Sequence, residues 1–322
     1  MKKVLVTGGA GYIGAHTSKL LAASGYEPVC YDNLSTGHAD FVKWGPLEIG
    51  DLHDLEKLTR VISSYQPIAV IHFAACAYVG ESVVKPLKYY RNNVGGTLSL
   101  LEAMRLSGLE NIVFSSTCAT YGTPTAKLLS ENCPQVPINP YGHSKLLIEQ
   151  ILRDLSARVG LNHISLRYFN AAGADKEGEI GEKHDPEPHL IPLAIRSAIS
   201  GPALKIFGTD FPTPDGTAVR DYIHVEDLGR AHILALEYLL AGGTSDFVNL
   251  GTGTGNSVRE IETCLQRLGV PVNSTDGPRR AGDPAFLVAD ATKAKQILEW
   301  QANYTEIEEI LRTAINWHKK NC

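Results

Sequence analysis

Short apolar runs with little polar alternation punctuate the first half of the chain. They fall at residues 4–6, 28–31, 69–73, 111–114 and 164–166, with a weaker one at 47–49. Unalternated runs of this length fit strands covered on both faces. Helical patterns lie among them, from a glycine turn to about residue 23, over 93–106, and over 142–155. A β-α-β rhythm of this kind predicts an α/β fold built on a doubly wound parallel sheet. Beyond about residue 170 the texture changes. Residues 172–220 are rich in Gly, Pro, Asp and Glu, with a short helix expected at 192–199. A helix over 225–240, a strand over 247–250 and late helices over 258–268 and 307–319 follow. The loop-rich part reads as a second, smaller lobe.

Composition narrows the function classes. The chain has 322 residues, of which 43% are hydrophobic, so a full core is within reach and general disorder is excluded. With 30 Lys plus Arg against 35 Asp plus Glu, the formal charge is −5, which gives no global basic field for nucleic acid or anionic membrane. The six cysteines form no CxxC pair, and no His cluster with metal-ligand spacing stands out, so neither a disulfide scaffold nor a metal site is expected. The run after Met1-Lys2-Lys3 stops at Thr7-Gly8-Gly9, too early for a secretion signal, and no stretch reaches membrane-spanning length. A soluble, cytoplasmic protein is expected.

The first candidate chemistry is a glycine triplet. Gly8, Gly11 and Gly14 follow the first strand and open the first helix. Glycines at that spacing permit a tight turn, close approach of backbone to a pyrophosphate, and tight helix–strand packing. The amides at the helix start would face the negative charge. Glycines also close ordinary turns, but strand–turn–helix is the context a dinucleotide needs. Asp32 ends the second strand, where an acid accepts hydrogen bonds from a ribose diol and repels a 2′-phosphate, favouring NAD over NADP. A helix cap or turn is the plainer role for Asp32. Asp51 sits where an acid could meet the adenine, and could equally cap the helix that follows.

The second candidate is Tyr141 with Lys145, a YxxxK pair one helical turn apart and on one face. A tyrosine titrates near 10, and a nearby ammonium would lower it toward a useful base. Ser115, Ser116 and Thr117 end a strand at the sheet edge where ligands bind, with Thr117 the preferred hydroxyl partner. A solvated lysine beside an exposed aromatic, and strand-end capping, are the alternatives.

Taken together, Thr7–Gly14, the Ser/Thr strand end, YxxxK and Arg167-Tyr168-Phe169-Asn170 resemble the extended short-chain dehydrogenase/reductase family, most closely its UDP-glucose 4-epimerases. The similar stretches run from residue 4 to about 290 and include 72–82, 92–97, 215–224 and 279–283. The resemblance implies a Rossmann domain over 1–171 and a nucleotide-sugar lobe over 172–322, some of whose segments return to the first domain. It implies tightly held NAD, a UDP-sugar substrate, and proton transfer by Tyr141 with Lys145 and Thr117 in support. It assigns cofactor contacts to Gly8, Gly11, Tyr12, Ile13, Gly14, Asp32, Asn33, Asp51, Leu52, Phe73, Ala74, Asn92, Ser115, Tyr141, Lys145, Tyr168 and Phe169. Thr117, Tyr141, Asn170, Leu190, Phe207, Arg220, Tyr222, Arg280 and Asp283 would meet the substrate. The arginines suit a diphosphate and Phe207 suits a base, although Arg220 beside Asp221 could be a surface ion pair.

Three positions depart from the best-known bacterial pattern. Ala77 stands where that pattern has lysine, Thr117 replaces serine, and Leu287 falls where the family gates N-acetylated sugars. UDP-arabinose/UDP-xylose and UDP-N-acetylhexosamine therefore remain alternative substrates. Thr117 is followed by Cys118-Ala119-Thr120, with no carboxylate for elimination, which disfavours a dehydratase. An alcohol dehydrogenase releasing NADH and a cofactor-sensing module are more distant alternatives. The helices over 93–106 and 142–155 carry apolar stripes on more than one side, and in this family such helices build a homodimer interface.

Overall fold

Along the first strand, Val4 and Val6 face one way and Leu5 the other, and all three are fully buried. This two-sided burial recurs across a seven-stranded sheet. In the computed structural model its strands are β1 (Lys2–Thr7), β2 (Tyr26–Asp32), β3 (Leu47–Ile49), β4 (Ala69–His72), β5 (Asn111–Ser115), β6 (Asn162–Tyr168) and a last strand, Asp246–Leu250. Their spatial order is β3-β2-β1-β4-β5-β6 followed by Asp246–Leu250, and every pairing is parallel. The order reverses between β1 and β4, which opens a crevice at the carboxyl ends of those strands. The structure describes residues 1–199, 201–280 and 282–321. Ala281, within the 279–283 motif, and Cys322, the last of the six cysteines, lie outside the described residues.

One face of the sheet packs Val4, Ile71, Val113, Leu166 and Val248 against Leu21, Leu228, Leu236 and Trp300. The other packs Leu5, Val70, Ile112 and Phe114 against Leu58, Leu100, Met104, Ile148 and Leu152. Each such side chain contributes roughly 1.5–3 kcal/mol, so the sheet is a rigid platform for whatever its edge carries. The helix Tyr12–Ala23 and the helix Val225–Leu240 cover the first face. The helices Leu55–Tyr65, Gly96–Leu106 and Pro140–Val159 cover the second.

A third core joins Ile191, Ile195, Leu204, Ile206 and Tyr222 to Ile261, Leu265, Leu311 and Ile315. It is built from the helices Leu190–Ile199, Val258–Arg267 and Ile307–Asn321 and from short strand pairs. Residues 225–250 and Trp300 belong to the central sheet's core although they follow this lobe's first elements. The helix expected over 93–106 starts as a π-helical stretch, Tyr90–Gly95, and becomes α-helical at Gly96. That wider turn lets buried Asn93 bond Cys76 N at 2.8 Å, Cys76 O at 3.0 Å and Ser144 Oγ at 3.0 Å. The helix expected over 142–155 begins earlier, at Pro140, because Asn139 caps it by accepting the Gly142 amide at 2.9 Å.

Candidate active site

The crevice begins with the glycine turn. Gly8 has φ +73°, and a Cβ there would stand 2.6 Å from Ala74 N. A Cβ on Gly14 would stand 2.2 Å from Gly8 O, so helix and strand touch backbone to backbone. Gly11 opens the helix Tyr12–Ala23 with no side-chain cap. Its first amides are therefore left to an external acceptor, and the helix dipole adds positive potential there. The side chains of the same residues face inward. Tyr12 donates to Gly173 O at 2.6 Å, and Ile13 packs on the sheet core.

Asp32, 8% exposed, accepts the Ala10 amide at 3.0 Å on one oxygen and the Leu34 amide at 2.8 Å on the other. Burial raises its carboxyl above the usual range despite those bonds. Asp32 thus makes a local turn and still presents its carboxylate at the strand end. Asp51 does not cap the next helix; Asp54 does, accepting the Lys57 amide at 2.9 Å. Asp51 instead accepts from Asn33 at 2.8 Å and from the His53 amide at 2.9 Å. Leu52 beside it is buried against the sheet core. Phe73 packs on His232, ring centroids 4.5 Å apart, and Asn92 donates to Asn93 at 3.0 Å.

The three hydroxyls at the end of β5 have different partners. Ser115 shares a hydrogen bond with Tyr168, and Ser116 donates to Glu149 at 2.5 Å. Thr117 is the one that lowers the Tyr141 phenol, and it accepts the Ala119 amide at 3.1 Å. Lys145, 3% exposed, donates to Ser115 O at 2.7 Å and lies 4.7 Å over the Phe114 ring. Burial pulls the Lys145 amine down to about 7. Burial also pushes the Tyr141 phenol well above its usual value, Thr117 opposing this only in part. The expectation that the ammonium holds this phenol acidic is not met here, where burial and then the Tyr168 phenol raise it.

Glu149 is a functional neighbour that motif reading missed. Fully buried, it takes both forks of Arg167, at 2.9 and 2.7 Å, and Gln135 at 2.9 Å. Arg167 reaches on to Tyr121, which donates to Asn249 at 2.7 Å. The signal was present: Tyr141, Lys145 and Glu149 fall at i, i+4 and i+8, one face of one helix.

In the second lobe, Phe207 ends the strand Leu204–Phe207, and the Arg280 guanidinium lies 4.0 Å over its ring. Arg220 does not pair with Asp221. It pairs with Asp283 at 2.5 Å, while buried Asp221 accepts from Thr252, Gly253 and Ala289. Leu287 lies in register with Arg220 in a parallel strand pair. Asn170 and Tyr222 lie in register in another. Leu190 opens the helix Leu190–Ile199. Phe169 packs in a small cluster with Cys118, Tyr121, Leu129 and Ala289.

Known proteins share this arrangement. The model of the NAD dependent epimerase/dehydratase family matches residues 4–251. A UDP-glucose 4-epimerase of Rhizobium meliloti (strain 1021) is 52% identical over 319 residues, covering 98% of this chain and 97% of that one. The crystal structure of UDP-glucose 4-epimerase from Brucella ovis in complex with NAD is 54% identical, with a TM-score of 0.96 and 98% of each chain covered. That from Bifidobacterium longum in complex with NAD+ and UDP is 38% identical, with a TM-score of 0.93 and 99% of each chain covered. A glycine turn on an uncapped helix, an acid closing β2, and a Tyr–Thr–Lys group on the same sheet edge, matched over this length, place the chain in the NAD dependent epimerase/dehydratase family.

Proposed function

We propose that the chain is a UDP-glucose 4-epimerase, interconverting UDP-galactose and UDP-glucose through a transient 4-keto sugar. The observation that carries this reading is buried Thr117, at a strand end with no carboxylate beside it, acting on the Tyr141 phenol that starts the same helix as Lys145. Proton transfer is provided for, and elimination is not.

The glycine turn fits a dinucleotide, because Cβ atoms at Gly8 and Gly14 would fill the cradle and Gly11 leaves the helix amides uncapped. Gly8, Gly11, Gly14 and the amides of Tyr12 and Ile13 would hold its pyrophosphate, and Asp32 its ribose diol. Asn33, Asp51, Leu52, Phe73, Ala74, Asn92, Ser115, Tyr168 and Phe169 complete that wall. Bound NAD supplies a hydride acceptor for the sugar C4 and a cationic ring whose charge favours phenolate. Tyr141 takes the proton of the sugar 4-hydroxyl at its phenolic oxygen and later returns it. Thr117 acts on that oxygen from the strand end, and Lys145, held by Ser115 O on the same helix face, would orient the nicotinamide ribose.

Arg220, Arg280 and Asp283 would grip the diphosphate and its ribose, with Phe207, Asn170, Leu190 and Tyr222 around the base and sugar. Residues 1–171 carry the cofactor and 172–322 the nucleotide sugar, with 225–250 and the Thr292–Leu298 helix lent back to the sheet. Exposed Leu98 and Leu106 on the helix Gly96–Leu106 and Leu147 on Pro140–Val159 support a homodimer across those helices. No helix among the described residues is long and apolar enough to cross a membrane, and the described cysteines are free, which supports the cytoplasm as its compartment.

The test is incubation with UDP-galactose and no added cofactor. UDP-glucose should appear without net NADH. Accumulating NADH would mark a dehydrogenase, and no turnover a binding module. UDP-arabinose and UDP-GalNAc in parallel decide the sugar.

A further inference from the structure

Between the glycine turn and the second lobe runs a strap, residues 182–189, with the sequence Glu182-Lys183-His184-Asp185-Pro186-Glu187-Pro188-His189. The strap is pinned at one end by Trp317, which donates to Glu182 O at 3.0 Å, and at the other it leads into the helix Leu190–Ile199. Glu182, His184, Glu187 and His189 converge, with one ligand atom from each lying within 4.8 Å of the others. Among the described residues, no Lys or Arg pairs with either carboxylate; their ion-pair partners are the two imidazoles.

Three of the four imidazole–carboxylate spacings, taken over both oxygens of Glu187, are close to those of a coordination shell. His184 Nδ1 stands 3.4 Å from Glu182 Oε1 and 3.5 Å from Glu187 Oε2, and His189 Nδ1 stands 3.3 Å from Glu187 Oε1. Ordinary N–H···O hydrogen bonds run at roughly 2.7–3.2 Å. The edge of a tetrahedron whose centre-to-ligand bonds are about 2.0–2.2 Å is about 3.3–3.6 Å. Only His189 and Glu182, at 2.5 Å, must separate to reach that edge. An independent observation points the same way. The Glu187 side chain is completely enclosed, yet its Oε2 has no hydrogen-bond partner, and neither does the facing His184 Nδ1. Two buried atoms paired only by charge, with no hydrogen bond to either, leave a polar gap that an ion between them would fill.

We propose that Glu182, His184, Glu187 and His189 form a binding site for a zinc-class divalent ion. Two carboxylates and two neutral imidazoles balance its charge and match its preference for nitrogen and oxygen donors. Four protein ligands leave no open position, so the ion is structural. It locks the strap, whose His184 ring meets Tyr12 at 6.4 Å and Tyr78 at 5.9 Å edge to face, against the start of the helix Tyr12–Ala23 that follows the glycine turn. The sequence reading expected no metal. The E-x-H-x-x-E-x-H spacing was there, but it follows no familiar finger pattern, and nothing in it shows that the strap folds back on itself.

The experiment uses the full chain, stripped with a chelator and then titrated with zinc chloride alone. One equivalent should bind, and at a hundredfold excess over Kd the Tm should rise by about 4 °C. Cobalt(II) should give the intense visible bands of a tetrahedral site. Glu187→Gln, confirmed folded by circular dichroism, should bind zinc at least about 100-fold more weakly. No uptake by the native chain, pale octahedral cobalt bands, or unchanged uptake in folded Glu187→Gln would each overturn the proposal. If the variant does not fold, the cobalt spectrum of the native chain decides.

Discussion

Replacing Thr117 with valine exchanges a hydroxyl for a methyl of similar volume at a position only 7% exposed, so the strand end keeps its shape. The lost oxygen accepts the Ala119 amide at 3.1 Å and acts on the Tyr141 phenol, which it lowers. The first is a cap on the short turn Cys118–Tyr121, and its loss costs about 0.5–2 kcal/mol. For a chain of this length that corresponds to a Tm drop of roughly 1–3 °C. The second acts on the chemistry. A hydrogen bond to a phenolic oxygen as it gains charge stabilises by about 1.5–3 kcal/mol, which is about 10- to 150-fold in rate. The assay follows UDP-glucose formed from UDP-galactose, coupled to its oxidation by a dehydrogenase. Thr117→Val should lose that factor in kcat while its KM for UDP-galactose stays near native. Thr117→Ser should recover most of the rate. A valine variant retaining more than half the native kcat would refute the role given to this hydroxyl.

Tyr141→Phe should keep its fold and bound NAD yet lose on the order of 100-fold or more in turnover, because the proton acceptor is gone; near-native turnover would remove Tyr141 from the mechanism. UDP should raise the Tm by binding the native state, and Arg280→Ala, which removes both a diphosphate donor and the cover over Phe207, should weaken UDP about 10-fold or more; an unchanged affinity in thermal titration rejects that assignment. Burial holds His72 and His224 down to about 3 and His16, His163 and His232 to about 4. Below their ordinary value near 6.5 the unfolded chain takes up protons that the native state refuses, so stability falls as pH drops toward 4. The slope should be about 1.4 kcal/mol per pH unit for each such histidine that stays neutral. Denaturant midpoints that do not change between pH 7 and 5 would contradict this.

Where chemistry is local, the sequence carried it. The glycine turn and YxxxK depend on neighbours a few residues away, so spacing alone located them. Thr117 was preferred over Ser115 and Ser116 from the sequence, but the partners that occupy the two serines, Tyr168 and Glu149, lie 53 and 33 residues away and were not legible there. The short strands Val219–Arg220 and Phe286–Leu287 have no periodicity to read, because two residues make no pattern; pairing between distant segments defines them. Asp221 illustrates the same limit. Next to Arg220 it looks like an ion-pair partner, and only the approach of Thr252, Gly253 and Ala289 turns it into a buried brace. The wide turn at Tyr90–Gly95 was likewise invisible, since its purpose is to present Asn93 to Cys76 and Ser144.

The interleaving of the lobes limits how such an enzyme can change. One edge strand of its sheet, Asp246–Leu250, and the helix before it arrive only after the chain has entered the second lobe. A chimera joined at residue 171 would import a foreign edge for β6 along with a new pocket, and strand and sheet would have to fit by chance. New substrate preference is therefore reached by exchanging the intervening stretches, 174–220 and 256–290, while the sheet stays as it is. Grafting at those four ends, rather than shuffling whole halves, is the route the topology leaves open.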